Sequence, residues 1–168
     1  MSAGFTLRHA ISADAAGMAR VLQALVASGQ RSRPATVEHV LSHYIEDPER
    51  LSCLLAVDAD GTVLGFQSLK RASAGNPYGV TPGWGIIGTH IAPDAARRGI
   101  GRGLFGGLFE GTRATILREG LPGVDASIGT RNAQALAYYH AMGFRDYATG
   151  PGVQRKAWHP EHSNTTKI

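Results

Sequence analysis

Three arginines and three glycines lie within residues 97–103, between a stretch with strand character and a stretch with helix character. The apolar run over residues 84–91 ends at Ala92-Pro93, and helical spacing of apolar residues begins near Arg102. Glycine leaves the backbone bare, so successive N–H groups can converge on an anion at a helix N-terminus. Because three adjacent arginines repel one another without a counter-ion, this segment predicts an anion-binding turn.

The nature of the anion is a separate question, because Gly101, Gly103 and Gly106 also fit the dinucleotide pattern G-x-G-x-x-G. A dinucleotide fold requires the strand to lead straight into the first glycine within parallel βαβ units. Here residues 93–98 intervene, and Asp60-Gly61 predicts an antiparallel hairpin upstream. Asp125 lies near the spacing of a ribose-binding acid, so a dinucleotide-dependent oxidoreductase stays as an alternative.

The remaining pattern predicts an α/β fold with a mixed, mostly antiparallel sheet flanked by helices. Strands are predicted over residues 5–11, 53–57, 62–69, 84–91, 124–129 and 153–158, and helices over residues 14–28, 37–45, 102–119 and 132–142. Gly, Pro and Ser mark residues 72–83 as a loop. A length of 168 residues suits one domain, assigned to residues 1–160, with a polar tail at 161–168.

Composition narrows the class of partner. The net charge of +4 favours a small anionic partner and is too low for the dense basic stripe of a nucleic-acid-binding protein. Cys53 is the single cysteine, which excludes an internal disulfide and fits a reducing cytoplasm. No apolar run approaches the roughly 20 residues needed to cross a membrane. His39 and His43 lack the H-E-x-x-H pattern of a metal site, and no G-x-S-x-G supplies a serine nucleophile.

Two motifs in order carry a family resemblance. Arg98, Gly101 and Gly103 fit the pattern Arg or Gln, two residues, Gly, one residue, then Gly or Ala. Asn132, Ala135, Tyr139, Gly143 and Phe144 fit a second pattern in which Tyr follows Asn by seven residues and Gly-Phe comes after it. With these motifs the chain resembles the GNAT superfamily of acyl-CoA-dependent N-acyltransferases over all but its tail.

The resemblance implies acetyl-CoA as co-substrate, with no metal, held between two splayed central strands. Its pantetheine arm would pair with the backbone of Thr89, His90 and Ile91, and Asn132 would contact the same arm. Its pyrophosphate would lie on the backbone of Arg97, Arg98, Gly99, Ile100, Gly101, Arg102, Gly103 and Leu104.

The resemblance also implies that Tyr139 donates a proton to the departing thiolate. Tyr138 is the neighbouring alternative. Many members carry a glutamate base on the fourth strand, but residues 84–91 contain no carboxylate. His90 is therefore the candidate base, with Asp125 and Ser127 behind it, and a water chain could replace all three. The missing carboxylate keeps a non-catalytic acyl-CoA-binding module as a second alternative.

The acceptor is expected to be a primary amine on a small molecule or peptide. The first two helices and the loop over residues 72–83 should shape its pocket, for which Arg31, Arg33, Tyr78 and Trp84 are candidates. Arginines there suit a carboxylate on the acceptor but would also suit solvent. Many relatives are dimers, so a homodimer is a further expectation.

Overall fold

The computed structural model describes residues 4–106 and 111–160. Seven strands form one sheet in the order β1-β2-β3-β4-β5-β7-β6. The strands are β1 Thr6–His9, β2 Arg50–Val57, β3 Val63–Arg71, β4 Gly85–Ile91, β5 Val124–Gly129, β6 Arg145–Gly150 and β7 Val153–Trp158. The helices are α1 Ala15–Ala27, α2 Val37–Val40, α3 Ile100–Gly106, α4 Thr112–Glu119 and α5 Ala133–Ala141. Every neighbouring pair of strands is antiparallel except β4 and β5, which confirms the predicted mixed, mostly antiparallel sheet.

The β2–β3 hairpin forms where Asp60-Gly61 predicted it. The Asp58 carboxylate accepts hydrogen bonds from the backbone N–H groups of Asp60 and Thr62, both at 2.9 Å, and Gly61 takes a φ of 82°. Glycine adopts that left-handed conformation without the steric cost that a side chain would add. The turn therefore brings β2 and β3 together early in the chain.

Helices α1 and α2 cover one face of the sheet. Apolar residues recur along α1 with helical spacing, so Met18 and Leu22 are fully buried against Phe66 of β3. Burial of side chains of this size contributes about 1.5–3 kcal/mol each. Beyond Val40 the chain continues as a π-helical turn over Leu41–Ile45, which places Tyr44 against the sheet.

Helices α3, α4 and α5 cover the opposite face. Leu104 of α3 and Ile116 of α4 are fully buried, as is Phe144, which follows α5. Phe105 and Phe144 meet edge to face with ring centroids 5.6 Å apart. The sheet is thus a central layer, with a separate core on each side.

The central strands β4 and β5 separate along their length. They are joined only by the parallel pairs Gly85↔Val124 and Ile86↔Asp125. Beyond them β4 stays paired with β3 as far as Ile91, and β5 stays paired with β7 as far as Gly129. The edge of β4 that faces β5 therefore lacks a strand partner over residues 87–91. We call the space between these diverging segments the β4–β5 gap.

One predicted helix differs from the observed structure. The single helix expected over residues 102–119 is wrong, because α3 ends at Gly106 and Gly111 is extended with φ −78° and ψ −177°. A Cβ at Gly111 would lie 2.6 Å from the Phe105 carbonyl oxygen, so the chain passes too close to α3 for any side chain there. Leu108 and Phe109, two members of the predicted helix stripe, fall outside the described residues, as does the tail at 161–168.

Strand β6 is absent from the sequence prediction. It is an edge strand whose residues are mostly exposed, so it carries no alternation of apolar and polar residues. Among the described helices none has the length and apolar character that a membrane span requires.

Candidate functional site

The arginine-glycine turn has the backbone geometry of an anion cradle. Arg97 takes a φ of 65° and Gly99 a φ of 80°, and α3 begins one residue later at Ile100. Alternation of right- and left-handed residues turns successive N–H groups toward one point. A left-handed φ is energetically unfavourable for any residue other than glycine. Backbone strain of this kind is concentrated at ligand sites.

The arginines of this turn concentrate positive charge at the start of α3. Arg98 donates a hydrogen bond from Nη2 to the carbonyl oxygen of Gly4 at 3.3 Å. No salt bridge joins Arg97, Arg98 or Arg102 to a carboxylate within residues 4–106 and 111–160. The turn is therefore suited to an anion from outside.

Gly101 is required by packing as well as by the turn. A Cβ at Gly101 would lie 2.6 Å from Cε1 of Tyr138 on α5. The Tyr138 hydroxyl donates to the Gly101 carbonyl oxygen at 2.7 Å and accepts from Nε2 of Gln67 at 3.0 Å. Tyr138 thus fixes the first turn of α3 against α5. Sequence reasoning assigned this glycine to phosphate contact alone.

Tyr139 lies at the β4–β5 gap with its hydroxyl 2.7 Å from Oγ1 of Thr89. Thr89 Oγ1 also accepts from Nε2 of Gln67 at 2.8 Å. Gln67 on β3 is fully buried, and both of its amide hydrogens are used, one by Thr89 and one by Tyr138. The motif residue Tyr139 is therefore held by a network that reaches across two strands.

This network favours one direction for its hydrogen bonds. Because Gln67 donates to Thr89, the Thr89 hydroxyl can donate in turn to the Tyr139 oxygen. The Tyr139 proton is then left for a third group. Burial raises the pKa of Tyr139, so the phenol stays protonated near neutral pH. Burial also raises the pKa of Tyr138 to about 12, but its proton is already given to Gly101.

His90 follows Thr89 on β4 and therefore points to the opposite face of the sheet. Its Nε2 lies 3.3 Å from the Tyr44 hydroxyl, and its ring packs against Phe66 with centroids 4.8 Å apart. Burial, with the positive charge of Arg31 and Arg33, lowers the pKa of His90 to about 3. His90 is therefore neutral at physiological pH and is a weak base.

A histidine–tyrosine cluster surrounds His90 on this face and consists of His39, His43, Tyr44, Tyr78 and His90. His39 and His43 stack with centroids 4.8 Å apart, and the Tyr78 hydroxyl lies 3.2 Å from Nε2 of His43. Burial is the main cause that lowers the pKa of His43 to about 4. Within the described chain no three His, Cys, Asp or Glu side chains come together as metal ligands would.

The structure brings some predicted acceptor residues to this cluster and leaves others apart. Arg31 contacts it through Nη2, which lies 3.4 Å from Nε2 of His39. Tyr78 is a member, and Arg33 lies nearby but is exposed. Trp84 packs instead against Tyr147 and His159, with centroids 5.7 and 5.3 Å away.

Asp125 has a structural role. It is fully buried, pairs with Nε of Arg155 at 3.1 Å and accepts from the hydroxyls of Tyr147 and Ser127 at 2.5 and 2.9 Å. A carboxylate with these partners is neither a free base nor a ribose-binding group, which corrects both roles considered for Asp125. The Ser127 hydroxyl donates its hydrogen bond to the same carboxylate.

Asn132 caps α5, since its Oδ1 accepts from the backbone N–H of Ala135 at 3.1 Å. The cap sets the start of the helix that carries Tyr138 and Tyr139, and it leaves Nδ2 for another partner. A separate cleft of about 710 Å³ runs beside α3 and β6 and includes the side chains of Arg102, Arg113 and Arg145. It shares Arg102 with the turn but contains neither Thr89 nor Tyr139.

Gln67 and Tyr44 are the two site residues that sequence reasoning missed. A single glutamine in an apolar strand is a weak signal, although its position between Phe66 and Ser68 marks it as a buried polar group that needs partners. Tyr44 reads as part of an apolar helix stripe. Nothing in the sequence pairs it with His90, which lies 46 residues away.

Comparisons with known proteins bear on the family and the fold of the chain. The sequence profile of the acetyltransferase (GNAT) family matches residues 18–144. A mycothiol acetyltransferase of Clavibacter michiganensis subsp. michiganensis (strain NCPPB 382) is 34% identical over 110 residues, which is 65% of this chain. The chain spans 31% of the length of that relative.

Solved structures share the fold. A GCN5-related N-acetyltransferase from Kribbella flavida superposes with a TM-score of 0.75 at 22% identity, over 93% of this chain and 98% of its own. YncA, a putative acetyltransferase from Salmonella typhimurium with its cofactor acetyl-CoA, gives 0.69 at 21% identity, over 93% and 94%. The profile covers most of the chain and the fold agrees, so this chain belongs to the acetyltransferase (GNAT) family.

Proposed function

We propose that this chain transfers the acetyl group of acetyl-CoA to a primary amine by direct attack, without a covalent enzyme intermediate. The observation that carries the proposal is the position of the Tyr139 hydroxyl at the β4–β5 gap, 2.7 Å from Thr89. The arginine-glycine turn begins a few residues after β4, the strand that carries Thr89. One small molecule with a thioester at one end and phosphates further along fits both features.

The cofactor would lie along the free edge of β4. Its pantetheine amides would bond the backbone of Thr89, His90 and Ile91, which lacks a strand partner on that side. Its pyrophosphate would sit on residues 97–104, where the Arg97 and Gly99 conformations support an anion. Asn132 would contact the arm through Nδ2.

The chemistry needs an amine beside the thioester carbonyl. The amine lone pair forms a bond to the carbonyl carbon, and the oxygen takes negative charge that N–H groups of β4 stabilise. The intermediate collapses, the carbon–sulfur bond breaks, and Tyr139 gives its proton to the sulfur. Tyr139 is then reprotonated through the Thr89 hydroxyl or from solvent, while the amine nitrogen loses its extra proton.

His90 is the proposed route for that amine proton, but it cannot store the proton. With its pKa lowered to about 3, His90 releases the proton at once, through Tyr44 or water. The amine must therefore arrive mostly as the free base or lose its proton to solvent during attack. The pH dependence of turnover would then follow the amine.

We also propose that residues 1–160 form the single catalytic domain and that 161–168 are a tail. The acceptor would approach from the face of the histidine–tyrosine cluster, opposite to Tyr139. We further propose a homodimer, which sedimentation of the purified chain tests.

Calorimetric titration with acetyl-CoA tests the cofactor site. Arg98→Ala combined with Arg102→Ala should weaken binding by about tenfold or more, because two cations near the phosphates are lost. Arg118→Ala on α4 is the matched control and should leave the affinity unchanged. NADH binding in place of acetyl-CoA would contradict the proposal and favour an oxidoreductase.

Release of free CoA in the presence of amines tests the chemistry. Tyr139→Phe should lower kcat by roughly a hundredfold with little change in the affinity for acetyl-CoA. The second candidate is a module that only binds acyl-CoA, and one observation favours it: the single carboxylate of β4 and β5 is Asp125, which is buried in an ion pair. That module would bind acetyl-CoA and release no CoA with any amine.

A further inference from the structure

Arg31 is a half-buried cation, and one of its N–H donors has no hydrogen-bond partner. Its Nη2 donates to the Pro34 carbonyl oxygen at 2.9 Å and lies 3.4 Å from His39. Its Nε is buried and has no hydrogen-bond partner. A buried donor left without a partner is unfavourable, more so on a charged group, and so calls for an explanation.

Two cations of the sheet, unlike Arg31 and Arg33, have carboxylate partners. Lys70 pairs with Asp47 at 2.6 Å, and Arg155 pairs with Asp125 at 3.1 Å. No such pair includes Arg31 or Arg33 in the part of the chain that the structure describes. The face of the sheet that carries the histidine–tyrosine cluster, which we call the acceptor face, therefore has a local excess of positive charge at Arg31 and Arg33.

The histidines of the cluster do not reverse this excess. Burial keeps His43 and His90 neutral, with pKa values lowered to about 4 and about 3. The positive charges of Arg31 and Arg33 lower the pKa of His90 further, and no carboxylate is among the groups that act on it. The cluster is thus a neutral aromatic wall with a cationic group beside it.

We propose that the acceptor is a primary amine that also carries a carboxylate, as an amino acid does, and that the Arg31 guanidinium binds this carboxylate. The inference rests on the proposed acetyl transfer and adds the substrate class to it. Arginine suits the task, because its planar fork of N–H groups matches a carboxylate with two parallel hydrogen bonds. The bound carboxylate supplies the anion that Arg31 lacks.

The positions of the cluster residues agree with an acceptor that has two ends. Arg31 contacts His39, whose ring meets Tyr44 edge to face at 5.6 Å, and the Tyr44 hydroxyl reaches His90 on β4. The carboxylate end of the acceptor would lie at Arg31. The amine end would lie toward His90 and the β4–β5 gap, with the aromatic rings against the atoms between.

The same charges disfavour a polycation. A polyamine or an aminoglycoside would place additional positive charge beside Arg31 and Arg33, neither of which has a carboxylate partner among the described residues. The acceptor face therefore selects against these amines as well as for a carboxylate.

Matched pairs of acceptors test the proposal. The probes are the proteinogenic amino acids, each beside its own primary carboxamide, with spermidine and kanamycin as polycations. CoA release gives kcat/KM for each, expressed per free-base amine because the amide changes the amine pKa. At least one amino acid should exceed its carboxamide by about tenfold or more and should exceed both polycations.

Variants then assign the effect to Arg31. Arg31→Met should lower the ratio of carboxylate to carboxamide to about one, mainly through KM, and Arg31→Lys should restore part of it. Arg33→Met is the control on the same turn and should keep most of the ratio. Affinity for acetyl-CoA should be equal in all three, which separates this result from damage to the cofactor site.

A second readout does not require turnover. Calorimetry with N-acetyl amino acids and N-acetyl amino acid amides, with and without CoA, should give tighter binding of the carboxylates in the wild type and equal binding in Arg31→Met. Preference for a polycation, or a ratio unchanged by Arg31→Met, would overturn the proposal. If the wild type did not bind acetyl-CoA, or released no CoA with any amine, the proposed acetyl transfer would be rejected instead. The comparison of N-acetyl amino acids with their amides would still decide the role of Arg31.

Discussion

A methyl group added at Gly101 measures how firmly Tyr138 holds the first turn of α3. The added Cβ would lie 2.6 Å from Cε1 of the Tyr138 ring and 3.1 Å from two further ring atoms. The ring cannot swing away freely, since hydrogen bonds to Gly101 and Gln67 fix its hydroxyl. We therefore expect Gly101→Ala to force either the ring or the helix to move.

The expected cost follows from three contributions. Overpacking costs about 1–3 kcal/mol, and a weakened hydrogen bond adds about 0.5–1.5 kcal/mol. Alanine in a helix returns about 0.5–1 kcal/mol relative to glycine. Gly101→Ala should thus destabilise the protein by about 1–3 kcal/mol, which lowers Tm by roughly 2–4 °C for each kcal/mol in a chain of this size.

A double-mutant cycle in urea identifies the cause. In a Tyr138→Leu background the added methyl should be neutral or slightly stabilising, so the coupling should be at least about 1 kcal/mol. Tyr138→Phe keeps the ring and should keep the clash. Gly150→Ala is the control, because a Cβ there meets nothing within 4 Å. Equal costs of Gly101→Ala in both backgrounds would refute the reasoning.

Three further predictions concern polar groups of the sheet. Asp125→Asn should cost about 3 kcal/mol in urea unfolding, because Arg155 loses its partner in a buried pair. The folded pKa of His90 lies below its unfolded value, so the unfolded chain binds more protons between about pH 3 and 6.5, and stability falls as pH falls. From pH 7 to 5 the wild type should lose about 1–2 kcal/mol more than His90→Gln, allowing for partial exposure. Thr89→Val should lower kcat by about tenfold or more with an unchanged acetyl-CoA affinity, and Thr89→Ser should restore it, because only the hydroxyl positions Tyr139.

Local chemistry made several local features predictable. Asp60-Gly61 can form only a tight turn at low cost, and glycines beside arginines before a helix point to an anion. The spacing from Asn132 to Tyr139 places both on one short helix, and the structure has Asn132 as its cap. Each of these signals depends on residues close together in the chain.

Contacts between distant residues were not predictable in the same way. The separation of β4 from β5 after two residue pairs leaves no mark on the strand sequences, because apolar residues line both strands. Gln67 acquires its role only when β3, β4 and α5 meet. The helix break before Thr112 was missed because the apolar stripe in the sequence continues past Gly106, where α3 ends.

The two residue pairs that join β4 to β5 hold one end of the unpaired edge of β4 in place. From Ile86 to Ile91 the strand extends roughly 17 Å, so a rotation of about 5° at the junction would displace its far end by about 1.5 Å. That displacement is close to the length of one carbon–carbon bond. A Cβ at Gly85 would lie 2.9 Å from Leu121, so the junction is already tightly packed. Substitutions there, remote from the thioester, could therefore set the length of acyl chain that the gap accommodates.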